Sequence, residues 1–338
     1  MDSTSAPAPP LRRAGGPRAW ALTGIGALAL FLAVRVLTSE APLDPPAALS
    51  DFLTLSISVF VESLPFVVLG TLLSIVVQIW LPDGMLERFL PRIPVLRRAA
   101  LSLLGILLPV CECGNVPLAR GLMVRGFTVA EALTFLLAAP ILNPVTILTT
   151  YHAFGWDSGI LVARIVGGFV IANLIGWWIS THPRQQDLLT PGFEASCRHD
   201  HGAGGTRMQR SAQAFLSETG ALLPALAIGS AIAGAIQLGA PRDLLIALGS
   251  HPLWSVLALL ALAFVVAICS NVDSFFILSL SSTFTPGSIV AFLLFGAMMD
   301  IKMVALLRTT FTGRAIAMLI AAVALGSLCI GWGLNLVA

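Results

Sequence analysis

Residues 64–82 read LPFVVLGTLLSIVVQIWLP, nineteen positions without a charge. That matches the roughly 20 apolar residues a helix needs to cross a hydrocarbon core about 30 Å thick. Comparable runs recur along the chain, so the first question is whether so much apolar surface can be hidden from water. Only 11% of the residues are charged and 57% are hydrophobic, with a mean hydropathy of +0.92. Soluble domains carry about 25% charged residues. The chain is therefore expected to be an all-α polytopic membrane protein, with room for seven to nine spans. Its formal net charge of +2 decides nothing in total; where the charges lie matters more.

Residues 1–19 are rich in proline and alanine and carry Arg12, Arg13 and Arg18. They read as a disordered cytoplasmic tail. Residues 20–48 read as a first transmembrane helix and an acidic loop with Glu40 and Asp44. A cleaved signal peptide fits less well, because the apolar run is long and TSEAPLDPP is a poor cleavage site.

The rest of the chain repeats itself. LPFVVLGTLLSIVVQIWLP aligns without a gap with LPALAIGSAIAGAIQLGAP, which pairs Pro65 with Pro224, Gly70 with Gly229 and Gln78 with Gln237. Downstream, CGNV (Cys113–Val116) meets CSNV (Cys269–Val272), and Asn143 meets Asp300. Matching proline, glutamine and cysteine are not apolar filler. The expected organisation is repeat 1 over 49–182, a basic cytoplasmic linker over 183–212, and repeat 2 over 213–338. Internal repeats are a mark of secondary transporters, whose sites lie between the repeats and are built from discontinuous helices.

PVCECGNVPLARG, residues 109–121, has the composition of such a break. Pro109 and Pro117 remove donors, Gly114 loosens the backbone, and Asn115 can satisfy freed groups. Its counterpart is CSNVDS, with Cys269, Asn271 and Asp273. Two topologies are open. Residues 99–124 can cross fully, or they can dip in and return. The return path keeps Arg120, Arg125 and the basic 183–212 loop on the side of Arg88, Arg92, Arg97 and Arg98, as the positive-inside rule favours. With three full crossings per repeat, the two repeats are then inverted.

Ionisable residues within spans mark function by default. Glu62, Glu112, Glu131, Asp273, Asp300 and Lys302 are the candidates. Glu131 suits a helix start. Lys302, the chain's one lysine, is expected to reach Asp273 or Glu112 across the repeat interface. Asp300 and Lys302 stand two apart, a spacing at which helical residues do not face each other. Cys111 and Cys113 are expected on one side of an extended segment, where they suit a soft species such as Cu⁺, Zn²⁺ or trivalent arsenic. Cys269 can add a third thiol. In the linker, Cys197, His199 and His201 form a weaker metal-binding pattern or belong to a flexible connection.

No Walker loop and no nucleophile–base pairing is legible, so neither ATP hydrolysis nor another enzymatic activity is expected, nor a cofactor, nor nucleic-acid binding. CECGNVPLARGLMVRG, FLLAAPILNPVTIL with Pro140, Asn143 and Pro144, and SNVDSFF followed by FGAMMDIKMVALL together resemble the bacterial predicted permeases that include the organoarsenical efflux permeases. The resemblance covers roughly residues 50–338. It implies a multi-pass permease of the bacterial inner membrane; the best-known members export trivalent organoarsenicals. Gly114 and Asn115 depart from the arsenical branch, which has serines there.

The reading that follows is a secondary permease with a cytoplasmic N-terminus, coupled to a proton or ion gradient. Cys111, Glu112, Cys113, Asn115, Pro117, Asn143, Cys269, Asn271, Asp273, Asp300 and Lys302 are expected along the pathway, with Glu112, Asp273 or Asp300 carrying protons. The cargo is expected to be a small thiophilic solute. The alternatives are a divalent or cuprous metal ion as cargo, or a non-transporting membrane subunit for a soluble partner. Besides lipid and cargo, a homo-oligomer is a possible assembly.

Overall fold

The computed structural model describes residues 47–82, 84–85, 88, 90–108, 110–199, 206–239 and 252–337. The expected tail and first helix lie outside them. Contacts divide the chain after Ser50, within the first described helix, and the unit from Asp51 onward holds all the later helices. Among the described residues the structure is helical, apart from one isolated bridge between Leu189 and Phe311.

Among the described residues six segments are long and apolar enough to cross a membrane: Ala47–Trp80, Val129–Phe154, Ile160–Ser180, Arg207–Leu238, Pro286–Leu307 and Gly313–Leu336. The first comprises α1 (Ala47–Ile75) and a π-helical turn, Val76–Trp80. Next come α2 (Pro94–Leu103), a 3₁₀ turn (Leu104–Leu107), and α3 (Glu112–Val124). The second span is α4 (Val129–Leu142) and α5 (Pro144–Phe154), followed by α6 (Ile160–Ser180). A short helix, α7 (Pro191–His199), lies in the connection to α8 (Arg207–Gly239). The remainder runs through α9 (Pro252–Val266), α10 (Asp273–Leu278), α11 (Pro286–Met298), α12 (Ile301–Leu307) and α13 (Gly313–Val337).

α3 has 13 residues and α10 has six. At 1.5 Å per residue α3 is about 20 Å long, short of a membrane core. Both belong to segments that turn back. Arg97, in the first turn of α2, bonds Glu131 in the first turn of α4 at 2.7 Å. Arg125, at the end of α3, donates to the carbonyls of Val77, Leu81 and Pro82 at the end of α1. The start of α2 and the end of α3 therefore lie at one end of the bundle. The second half does the same: Ser255 in the first turn of α9 meets Ser288 in the first turn of α11 at 2.7 Å.

Local chemistry sets the helix ends. Thr128 accepts from the Glu131 N–H and Glu131 accepts from the Thr128 N–H, a capping box worth about 1 kcal/mol. Glu131 is thus a cap, as its place in the sequence suggested. α4 and α11 form the centre of the bundle, where every residue of α4 is buried. The outer helices present apolar stripes, such as Val162, Val166, Val170, Leu174 and Trp178 on α6. Such a stripe is a liability in water and a lipid face in a bilayer.

Gly70 of α1 crosses Gly114 of α3 so closely that a Cβ on either would strike the other helix's backbone. Gly114 thus permits this approach, in addition to any loosening of the backbone. Pro117 also differs from expectation. It lies inside an unbroken α3, and the break precedes the helix, with Leu108, Val110 and Cys111 outside any helix; Pro109 falls outside the described residues. Helix resumes at Glu112 because Cys111 is the extended N-cap residue, with φ −74° and ψ 176°. Cys111 is therefore extended and Cys113 helical, so the Cys-x-Cys pair does not form the expected extended strand, yet the Cys113 side chain still reaches the Cys111 thiol.

Candidate functional site

The two breaks meet. Both leave backbone groups without helical partners, and polar side chains fill the gap. The Val110 carbonyl accepts from Asn115 Nδ2 at 3.4 Å and from Asn143 Nδ2 at 3.2 Å. Asn143 also caps α5 by accepting from the Val145 N–H at 2.9 Å. In the second break Ala267 takes a left-handed φ of 50°. The preceding Val266 carbonyl is satisfied by Gln237 Nε2 at 2.7 Å. A non-glycine residue in that region costs about 1–2 kcal/mol, and such strain gathers at functional sites.

Two polar clusters sit at this junction. In the first, Arg164 of α6 forms a two-pronged pair with Asp273: Nη2 to Oδ2 at 2.5 Å and Nη1 to Oδ1 at 3.0 Å. Nη1 also donates to Thr150 Oγ1 and Ser274 Oγ, both at 2.8 Å. Thr146 Oγ1 and Asn143 Nδ2 donate to Asn271 Oδ1 at 3.2 and 3.4 Å. The first-half helix α5 thus holds the second-half tip. A charge at mid-membrane costs about 2.5–3.5 kcal/mol when isolated. The carboxylate and the hydroxyls offset this for Arg164, so Asp273 is a structural partner of an arginine. Its expected pairing with Lys302 is not made.

The second cluster is mirror-like in its connections. The first-half tip residue Glu112 accepts at Oε2 from Ser270 Oγ (3.1 Å) and the Ser270 N–H (3.4 Å). Its Oε1 lies 3.7 Å from Lys302 Nζ, the cross-interface pairing expected from the sequence. Lys302 Nζ also lies 3.6 Å from Asp300 Oδ2, against the expectation that this pair points apart. The helical spacing rule does not apply here. Asp300 is the extended N-cap of α12, with φ −135°, and its Oδ1 accepts from the Met303 N–H at 2.6 Å.

The clusters differ in degree of bonding: in the first, Arg164 Nε alone is buried without a hydrogen-bond partner among the described atoms. Glu112, Asp300 and Lys302 are each at most 1% exposed. Yet Glu112 Oε1, Asp300 Oδ2, Lys302 Nζ and Asn115 Oδ1 are buried without a hydrogen-bond partner. Two carboxylates and one ammonium at 3.6–3.7 Å are attracted but loosely held. Unsatisfied buried polar atoms cost about 1–3 kcal/mol each, and more when charged.

Beside it, ligand atoms of Cys111, Glu112 and Cys269 all lie within 4.8 Å of one another. Cys113 is buried in the first turn of α3 and is not in that group. Pro117 is buried one turn further on, and its carbonyl accepts from Ser74 Oγ at 2.7 Å. Glu62 is exposed on α1. Of the linker residues, Cys197 and His199 lie on α7, and His201 falls outside the described residues. Sequence reasoning missed Arg164 and the buried pair Arg120–Glu218 (2.7 Å). The signal for Arg164 was available: an arginine within ILVARIVGGFVIANLIG.

Comparison with known proteins agrees with this architecture. A family profile described as "Predicted permease" matches residues 48–335. The UPF0718 protein YcgR of Bacillus subtilis is 34% identical over 279 residues, 81% of this chain and 94% of the relative. A Streptococcus mutans protein named "Putative two-component membrane permease complex subunit" is 29% identical over 280 residues, 80% of this chain and 90% of the relative. The UPF0718 protein YraQ of Escherichia coli matches at 33% over 127 residues, 35% of each chain. No solved structure matches significantly. The profile spans nearly the whole described chain, and this multi-pass membrane protein belongs to the predicted permease family.

Proposed function

We propose that the chain is a secondary permease of the bacterial inner membrane that exports a small thiophilic solute in exchange for protons. In this reading residues 49–182 and 213–338 are inverted repeats and the two broken segments are re-entrant tips. The observation that carries it is the loosely held Glu112–Lys302–Asp300 cluster at the junction of the tips.

The chemistry follows from the donors. Two thiols and a carboxylate suit a soft, three-coordinate centre. Thiolates bind such a centre only after losing their protons, so solute binding releases protons. Glu112 must likewise be deprotonated to serve as the third ligand; with the solute gone it can take up a proton, and Lys302 then turns wholly to Asp300. A proton on Glu112 removes its attraction to Lys302 and loosens the contact between the tips. Solute and proton thereby compete for the same junction, which is the requirement for exchange. Asp300 stays on its cap, and Asp273 stays on Arg164.

Uptake of a trivalent organoarsenical probe or Cu⁺ from the medium into everted vesicles tests this. Proton-driven transport should fall at least about tenfold, 1.4 kcal/mol in barrier terms, in Cys111→Ser, Cys269→Ser and Glu112→Gln. Unchanged transport in all three would sink the proposal. A growth-inhibition panel of soft metals and arsenicals, with and without the chain, identifies the cargo.

A second reading draws on the Streptococcus relative, whose name makes it a subunit of a complex. There the chain works with a partner, and co-purification of a stoichiometric second protein would favour it.

A further inference from the structure

At the linker end of the bundle the last two turns of α3 are held by one arginine. Arg120 Nε bonds Glu218 Oε2 on α8 at 2.7 Å. Its Nη1 donates to Thr310 Oγ1 at 2.8 Å, Thr309 Oγ1 at 3.2 Å and the Thr309 carbonyl at 3.3 Å. The guanidinium lies 4.3 Å from the centroid of the Phe193 ring on α7. Both charged residues are more than nine-tenths buried. Every polar partner of Arg120 here lies in the second half of the chain, while Arg120 rides on the helix that begins at Glu112.

Outside the pair lies a polar recess of about 230 Å³, lined by Gln78, Arg120, Arg210, Gln213, Ser217 and Glu218. Inside it, along α3, stands Glu112, eight residues or about 12 Å away. The connection between the halves crosses this end as a strap: Thr190 N–H donates to the Thr310 carbonyl (2.8 Å) and Thr312 N–H to the Leu188 carbonyl (2.9 Å). Phe193 hangs from that strap onto Arg120.

We infer that Arg120 and Glu218, roofed by Phe193, form a gate that separates the polar recess from the junction of the two tips. The inference rests on the permease reading. Three features make the pair a gate. It joins the two halves, so any relative movement of α3 against α8 and α12 must break it. It has water-accessible polar surface on its outer side, so parting the charges resolvates them, and the attraction lost is offset by hydration regained. It also lies on the same helix as the loosely held Glu112, so a change at the tip reaches it through one rigid element.

Thiol accessibility tests this without any transport measurement. In a Cys197→Ser, Cys329→Ser background the remaining cysteines, Cys111, Cys113 and Cys269, all lie beyond the gate. A charged, membrane-impermeant methanethiosulfonate is applied from each face of oriented vesicles. From the linker face the parent should label slowly. Glu218→Ala should label about tenfold faster from that face only, since removing one partner of a buried pair shifts the closed state by at least that factor. The charge swap Arg120→Glu with Glu218→Arg should restore slow labelling. Unchanged rates in Glu218→Ala overturn the gate. So does equal acceleration from both faces, which marks a loosened fold. If labelling is gated but no variant alters flux of any probe, the permease reading fails and the gate stands.

Discussion

Arg164 and Asp273 meet edge to edge, with 2.5 and 3.0 Å between their paired nitrogen and oxygen atoms, at 1% and 3% exposure. Removing one partner of a buried pair strands the other charge, at a cost of about 3–5 kcal/mol. Arg164→Ala is expected to lower the unfolding temperature in detergent sharply. The double variant Arg164→Leu, Asp273→Leu should recover most of the loss, because apolar residues of similar volume replace buried pairs at little cost. A single variant as stable as the parent would contradict the clamp.

Glu112 and Lys302 lie further apart, at 3.7 Å, and should behave differently. Glu112→Gln keeps an oxygen for Ser270 and removes one of two negative charges near Lys302. Stability should change by less than about 1.5 kcal/mol, as one hydrogen bond's worth. Lys302→Met leaves Glu112 and Asp300 buried without their cation and should cost about 3 kcal/mol or more. Thermal unfolding of both in the same detergent gives the order. If Glu112→Gln were the more damaging, the loosely held cluster would be misread.

These two pairs also show what the sequence reveals. Glu112, Asp273, Asp300 and Lys302 stood out because charge in an apolar run is costly wherever the helix lies. Aligning the two halves placed Lys302 within reach of Asp273 or Glu112, and the structure makes the Glu112 contact. The partner of Asp273 did not, because Arg164 belongs to α6, outside both broken segments, and its approach depends on packing of α5 between them. The Asp300–Lys302 pairing was hidden by a local fact. Spacing predicts direction only inside a helix, and Asp300 is a cap residue. The break before Glu112 was legible from its prolines, but its position was not, because Pro117 is tolerated within α3.

Gly70 and Gly229, aligned in the sequence, differ in what they face. A Cβ on Gly70 would fall on the backbone carbonyl of Gly114. A Cβ on Gly229 would lie 2.8 Å from the Ala305 Cβ and 3.2 Å from the Lys302 Cα. The overlap at Gly70 is much the deeper, with three backbone atoms of Gly114 in the way, so Gly70→Ala should cost more than Gly229→Ala, at the upper end of the ~1–3 kcal/mol typical of overpacking. Yield of monodisperse protein and its unfolding temperature rank the two. Equal tolerance would mean that α1 and α3 do not cross at Gly114.

Cys111 and Cys269 come from different halves, yet their sulfurs lie within 4.8 Å of each other beside Glu112. Dibromobimane bridges thiols at about that spacing and fluoresces strongly only when both ends react. In a chain reduced to these two cysteines, with Cys113, Cys197 and Cys329 changed to serine, it should crosslink Cys111 to Cys269 within one molecule. Adding back Cys197 in place of Cys269 should abolish the signal. Preloading with a trivalent arsenical or Cu⁺ should protect both thiols, because a soft centre held by thiolates releases them slowly. Protection without crosslinking would place the thiols too far apart to share a ligand. Crosslinking without protection would keep the meeting of the tips and remove the cysteines from the cargo site.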